Sequence, residues 1–319
     1  MRILLWHVHG AWTTSFVHGE HEYVVPVLPD RGPDGVGIAR TYDWPRDRVT
    51  ELPPERLRDE PFDVVVLQRP HELERLCEEW TGRRPGRDVP AVYVEHNAPQ
   101  GRIAEMRHPA ADRDDLVLVH VTHFNALFWD AGSTRTRVVE HGIVDPGKRY
   151  TGELARAAVV INEARRRARV TGTDLLPRFS RVAPLDLFGM DAGSLDTGNG
   201  LRAIDDLPQA RLHGEMARRR VYLHPIRWTS LGLSLLEAMH LGMPVVALGT
   251  TEVHEAVPAE AGVVSTRLDV LADAVRRLVN DPDEAAERGR AARAAALERY
   301  GLARFLSDWD EVLGEVGDR

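Results

Sequence analysis

Residues 228–248 read WTSLGLSLLEAMHLGMPVVAL. Just before them, RVYLHP (220–225) is an apolar, strand-like run that ends at Pro225. The chain turns through IRWTSLG, takes up helical spacing from near Leu231 to Leu241, and returns to an apolar run, MPVVAL (243–248). Strand, helix and strand in that order, with both strands apolar on both faces, make one unit of a parallel sheet covered on two sides. The N–H groups at Ser230, Leu231, Gly232 and Leu233 are expected to carry the positive end of the helix dipole, which favours a phosphate or diphosphate. Gly232 permits close backbone approach, and Thr229 or Ser230 could cap the helix or donate to a phosphate oxygen. Glu237 lies about a turn and a half further in. Its carboxylate can accept two hydrogen bonds at once, which suits the vicinal hydroxyls of a ribose. Stabilisation by the dipole alone is the plainer reading of the same residue.

The pattern repeats outward from this stretch. RILLWHV (2–8), EYVVPV (22–27), DVVVLQ (63–68), AVYVEH (91–96), LVLVHV (116–121) and RVVEHG (137–142) read as strands. PHELERLCEEW (70–80) and FNALFWDAG (124–132) have helical spacing between them, and the Gly- and Pro-rich segment 28–45 reads as a loop. DPGKRYTGE (145–153) breaks the pattern and sets the expected boundary between an α/β domain over 1–150 and another over 151–300. In the second, 157–162, 184–189, 210–214, 220–225, 243–248 and 261–265 are expected strands, with helices at 232–241, 268–280 and 283–298. A last amphipathic helix, 302–316, could cap either domain, packing back onto the first included. Two facing doubly wound, Rossmann-like domains leave a cleft at the carboxyl ends of their sheets, an architecture suited to two substrates.

Composition narrows the classes. The 319 residues carry a net charge of −8, with 43% hydrophobic and 28% charged residues, the profile of a soluble globular protein without the basic surplus of a nucleic-acid binder. One cysteine, Cys77, excludes an internal disulfide and suits a reducing compartment. No uncharged run reaches the roughly 18 residues of a membrane span, and no signal-peptide pattern opens the chain. A cytoplasmic location is expected, with peripheral contact at the inner membrane face left open. His7 and His9 share a strand face, yet no further ligands follow at metal-site spacing, so no metal site is expected.

SLGLSLLEAMHLGMPVVAL, followed by TTEVHEAV and AGVV, resembles the C-terminal signature of retaining nucleotide-sugar glycosyltransferases of the GT-B fold, the family 4 type also called glycosyl transferases group 1. That signature runs Glu, seven residues, Glu, then Ala-Met-x-x-Gly-x-Pro-Val-Val. The resemblance implies a ribose-binding role for Glu237 and places Thr229 where the family has its first Glu. NEARRRARVTGTDLL (162–176) resembles the family loop whose Arg and Lys-Gly pair bind the donor diphosphate. Gly172 and Asp174 fit that loop, Thr171 stands at the Lys position, and Arg165, Arg166 or Arg169 could supply the missing cation, Arg166 first and Arg169 next. A solvated basic loop is the alternative. Gly10 sits where the family's Gly-rich loop approaches the donor, His96 where a His contacts the donor sugar, and Glu255 at the family's Glu before an apolar pair.

The resemblance thus implies an enzyme that moves a sugar from a nucleoside-diphosphate donor, with retention and without a metal or other cofactor. The acceptor is left open among lipid, glycan, natural product and protein. Two other readings stand beside it. Thr229 and Thr171 motivate a non-catalytic relative that binds a nucleotide or sugar and acts through a partner. Glu95 with Glu255 would be the acid pair of a nucleotide-sugar epimerase.

Overall fold

The computed structural model describes residues 1–38, 41–195, 198 and 200–317. Its contacts divide the chain into two units: Met1–Val144 together with the segment from Leu302, and Asp145–Gly301.

The first unit holds seven strands: β1 Arg2–Leu5, β2 Glu22–Pro26, β3 Val49–Leu52, β4 Val64–Leu67, β5 Ala91–Glu95, β6 Val117–His120 and β7 Arg135–Val138. All pair in parallel, in the order β3-β2-β1-β4-β5-β6-β7. β4, β5 and β6 are buried at every position, as the apolar runs require when helices cover both faces. β3 was not expected from the sequence. It is an edge strand, VTEL, buried only at its first residue, and edge strands carry polar positions that mask the apolar signal. The C-terminal helix Leu302–Gly317 packs on this unit through an aromatic cluster. Trp309 meets Trp12 edge-on at 5.6 Å and Phe16 at 5.0 Å, and Trp12 stacks on Phe16 at 5.0 Å. Each such ring removed from water stabilises the unit by about 1.5–3 kcal/mol.

The second unit holds β8 Leu154–Val160, β9 Leu185–Gly189, β10 Leu201–Asp205, β11 Arg219–His224, β12 Val245–Leu248 and β13 Gly262–Ser265, all parallel, in the order β10-β9-β8-β11-β12-β13. The chain joins this unit from Asp145, whose carboxylate pairs with Arg293, while the amides of Arg149 and Tyr150 donate to Leu241 O. The segment 210–214, expected as a strand, is instead part of the helix Gln209–Arg218. Its buried residues His213, Met216 and Ala217 fall at helical spacing, a period that the short apolar run did not reveal. β10 was not among the expected strands; like β3 it is an edge strand, with no fully buried residue.

Candidate donor site at the second sheet's switch point

In the second unit the chain runs from β8 outward to β9 and β10, then crosses to β11 and outward to β12 and β13. The strand order therefore reverses between β8 and β11, and ligands of open α/β sheets bind outside the carboxyl ends of strands at such a point. The loops that flank it are 161–175 and 225–232. They are tied together: the amides of Arg227 and Trp228 donate to Val170 O at 2.9 and 3.2 Å, and Thr250 Oγ1 donates to Ile226 O at 2.8 Å. Gly172 makes this closure possible. Its φ is +74°, and a Cβ there would lie 2.0 Å from Pro225 O.

The cations of these loops differ in what they touch. Arg165 donates to Ser194 O, and Arg166 is paired with Glu163. The Arg169 side chain is 76% exposed and reaches Asp174 Oδ2 at 3.2 Å. Arg227, which sequence reasoning did not single out, is 24% exposed and donates through Nη1 and Nη2 to the two oxygens of Asp174 at 2.5 and 2.9 Å. Its Nη1 also donates to Arg169 O at 2.8 Å. The Arg227 guanidinium holds the Asp174 carboxyl below its ordinary value, against a smaller desolvation effect. Thr171 is fully buried and bonds within its own loop, to Ala168 O and the Thr173 hydroxyl.

The helix that follows β11 spans Leu233–Leu241, with Gly232 as an extended N-cap that has no side chain to offer it. Ser230 and Leu231 are buried; Thr229, Gly232 and Leu233 are half-buried. The space above Gly232 belongs to the protein itself, since a Cβ there would lie 2.5 Å from His224 Cε1. Desolvation pushes the buried His224 imidazole down to about 3, and the Tyr222 hydroxyl links it, at 3.4 Å, to Ser234 Oγ at 2.9 Å. Glu237 is 6% exposed. Its Oε1 accepts from Gln209 Nε2 at 2.8 Å, with His213 Nε2 3.5 Å away. Gln209 and His213 were hidden from sequence reasoning because their helix was expected to be a strand. Glu255 lies exposed on the short helix Val253–Ala256, whereas Glu252, just before it, is buried.

In the first unit the order reverses between β1 and β4. Gly10 opens the helix Gly10–Phe16, and the Tyr42 ring lies where its side chain would be, 2.6 Å from a built Cβ. His96 follows β5. Its Nε2 lies 2.9 Å from Gln68 Oε1, and Gln68 Nε2 donates to Trp6 O at 2.7 Å. With the amide so oriented, His96 Nε2 carries the proton and Nδ1 keeps its lone pair. Burial, and then the neighbouring His9 and His141, hold His96 well below the ordinary imidazole value. At neutral pH it has no second proton to give, but it can hydrogen-bond a neutral hydroxyl. Glu95 is engaged elsewhere: Oε2 accepts from His108 Nε2 at 3.0 Å and Oε1 from the Asn97 amide at 2.6 Å. Among the described residues no group of three or more His, Cys, Asp or Glu is arranged to hold a metal ion. No helix among them is long and apolar enough to cross a membrane.

The family model described as glycosyl transferases group 1 matches residues 194–281, a stretch within the second unit that includes β11, the helix Leu233–Leu241 and Glu237. No curated protein matches the chain. Among solved structures it is similar over 99% of its length to 98% of the sucrose-phosphate synthase of Thermosynechococcus elongatus, at 12% identity and a TM-score of 0.75. It is similar over 99% of its length to all of Anabaena HepE, a structure in complex with UDP, at 13% identity and a TM-score of 0.67. TarM matches 78% of the chain at 14% identity and a TM-score of 0.64, and the chain spans 54% of TarM's length. The fold is therefore of the GT-B class, two parallel-sheet α/β domains with seven strands in one and six in the other. The family match thus falls within the second unit, and the likeness to the solved structures is one of fold.

Proposed function

We propose that the chain transfers a sugar from a nucleoside-diphosphate donor to a hydroxyl acceptor, with retention and without a metal. The observation that carries this reading is the buried Glu237 carboxylate, a turn and a half inside the helix that opens at the switch point of the second sheet. The ribose would bond Glu237, and the diphosphate would meet the amides at 230–233 and a guanidinium of the flanking loops. Arg227 is the best-held candidate for that guanidinium, with Arg169 beside it. In the transfer, the bond from the anomeric carbon to the diphosphate oxygen breaks as the bond to the acceptor oxygen forms. The acceptor proton passes to the departing diphosphate. Fixed amides and a guanidinium act here as preorganised stabilisers of the developing negative charge. In the first unit, neutral His96 suits a hydrogen bond to an uncharged hydroxyl, and the engagement of Glu95 by His108 and Asn97 speaks against an acid pair for epimerisation. UDP, which HepE binds, is the first donor nucleotide to try.

The test is calorimetry and thermal shift with UDP, ADP, GDP, CDP and TDP on the wild type and on Glu237→Ala. A diphosphate at about 100 times its dissociation constant should add about 2.7 kcal/mol of stability. Stabilisation by one of them, lost in the variant, together with acceptor-dependent release of the nucleotide from its sugar conjugate, is the expected result. Binding without release under any acceptor would instead favour a non-catalytic relative, the reading that Thr171 and Thr229 motivate. No binding at all would sink both.

A further inference from the structure

The helix Gln209–Arg218 packs against the helix Leu233–Leu241, and its first residue reaches the carboxylate on which ribose recognition depends. Gln209 Nε2 donates to Glu237 Oε1 over 2.8 Å. One turn on, the buried His213 sets Nε2 3.5 Å from the same oxygen without a hydrogen bond to it. Glu237 Oε1 is thus occupied. Oε2 takes no hydrogen bond from any described residue, and it is not among the polar atoms sealed away without a partner. A carboxylate held at one oxygen presents the other in a fixed direction, so less freedom is lost when a ligand arrives. An amide suits that task. It donates a hydrogen bond without neutralising the charge, which stays available to strengthen a bond from a hydroxyl.

We infer that Gln209 is a positioning residue for nucleotide selection: it fixes Glu237 so that Oε2 accepts a ribose hydroxyl and the site prefers ribonucleotides to their deoxy forms. This rests on the nucleotide-sugar reading above. Residue 209 opens its helix and is half-buried, so its substitution leaves the packed face of His213, Met216 and Ala217 intact.

The experiment is calorimetry on the full chain with UDP, ADP and GDP, each beside its 2′-deoxy and 3′-deoxy counterparts, for the wild type, Gln209→Ala and Gln209→Glu. The melting temperature of each unliganded protein checks folding. One hydrogen bond to a charged group corresponds to about tenfold or more in affinity. The wild type is expected to prefer one ribonucleotide over a deoxy form by about that factor. Gln209→Ala should lose most of the preference and weaken the ribonucleotide. Gln209→Glu sets a second carboxylate against Glu237, and such a pair shares one proton. Its affinity should therefore recover as the pH falls, relative to the wild type. The other titratable groups around Glu237 are His213 on the same helix as Gln209, His240 one turn beyond Glu237 and Tyr222 on β11. They are common to both proteins, so the difference between the two pH profiles isolates the shared proton. If the wild type shows the ribonucleotide preference and both variants keep its affinity, its ratio and its pH profile, the role of Gln209 is overturned and the donor reading survives. If the wild type binds no diphosphate, the donor reading fails and this inference with it.

Discussion

At the carboxyl edge of the first sheet, the loops after β4, β5 and β7 bring up Gln68, His96 and His141, with the His9 ring tilted against His96 at 4.0 Å and Trp12 edge-on at 4.9 Å. At the same edge of the second sheet, the loops after β8 and β11 bring up Asp174, Arg169, Arg227 and the start of a helix. Both edges grow from parallel sheets with a reversal of strand order, so topology does not distinguish them. Desolvation does. The first edge buries the imidazoles of His96 and His141 and keeps them neutral, whereas the second sets guanidinium groups beside a carboxylate, half open to water. The first suits uncharged hydroxyls, the second a phosphate.

The largest effect expected from this contrast is on acid stability. Burial pushes His120 down to about 4 and His141 to about 3, and holds His96 well below its ordinary value. Below pH 6.5 all three gain a proton in the unfolded chain before they do in the folded one, down to about 4 for His120 and about 3 for His141, so stability falls as the pH falls from 6.5 towards 4. Each contributes a slope of up to about 1.4 kcal/mol per pH unit. Among the described residues of the second unit, His224 is pushed down to about 3 and His240 is lowered by burial. Peptide-resolved hydrogen exchange at pH 7, 6 and 5 should show the first unit losing protection earlier, and His120→Phe should flatten its slope by about one group's share. Equal loss of protection in both units would break the comparison.

A smaller effect is expected where the second edge is built. At Gly172 a φ of +74° and the 2.0 Å approach to Pro225 O leave no room for a side chain, and the two loops meet there. Gly172→Ala should cost about 2–4 kcal/mol, combining left-handed strain with displacement of a backbone oxygen. It should also weaken nucleotide binding by shifting Asp174 and Arg227. A melting temperature equal to the wild type would show that the loops are not held as described.

Those two regions also show what was legible beforehand. VVVL at β4, AVYV in β5 and VVAL at β12 declare a doubly covered parallel sheet, because burial on both faces favours an unbroken apolar run. VTEL at β3 and LRAID at β10 do not, because an edge strand meets water. Glu237 could be singled out because its neighbours form an ordered string, but its partner Gln209 could not. The segment ARLHG looks strand-like over five residues, and its helical period emerges only when Met216 and Ala217 are counted. Spacing along the chain likewise favoured Arg166, whereas Arg227 comes to the same place from a loop more than fifty residues away.

That last difference yields the mildest prediction. A guanidinium has five N–H groups. Arg227 spends two at Nη1, on Asp174 and Arg169 O, and one at Nη2, on Asp174. One N–H at Nη2 and the N–H at Nε remain, a pair on one edge of the fork and matched to two oxygens of a phosphate. Because Asp174 and the tie to Val170 already hold the group, little side-chain freedom is lost on binding. Arg166 is spent on Glu163 and belongs to an exposed pair, whose net worth is small. Arg227→Ala should therefore weaken nucleoside diphosphates about tenfold while nucleosides, which lack the phosphates, bind as before. Arg166→Ala should leave both within about twofold. Titration calorimetry with UDP and uridine decides it. If Arg166→Ala weakens the diphosphate and Arg227→Ala does not, the cation of the second edge lies on the loop after β8, and the pair between Arg227 and Asp174 is only a strut between loops.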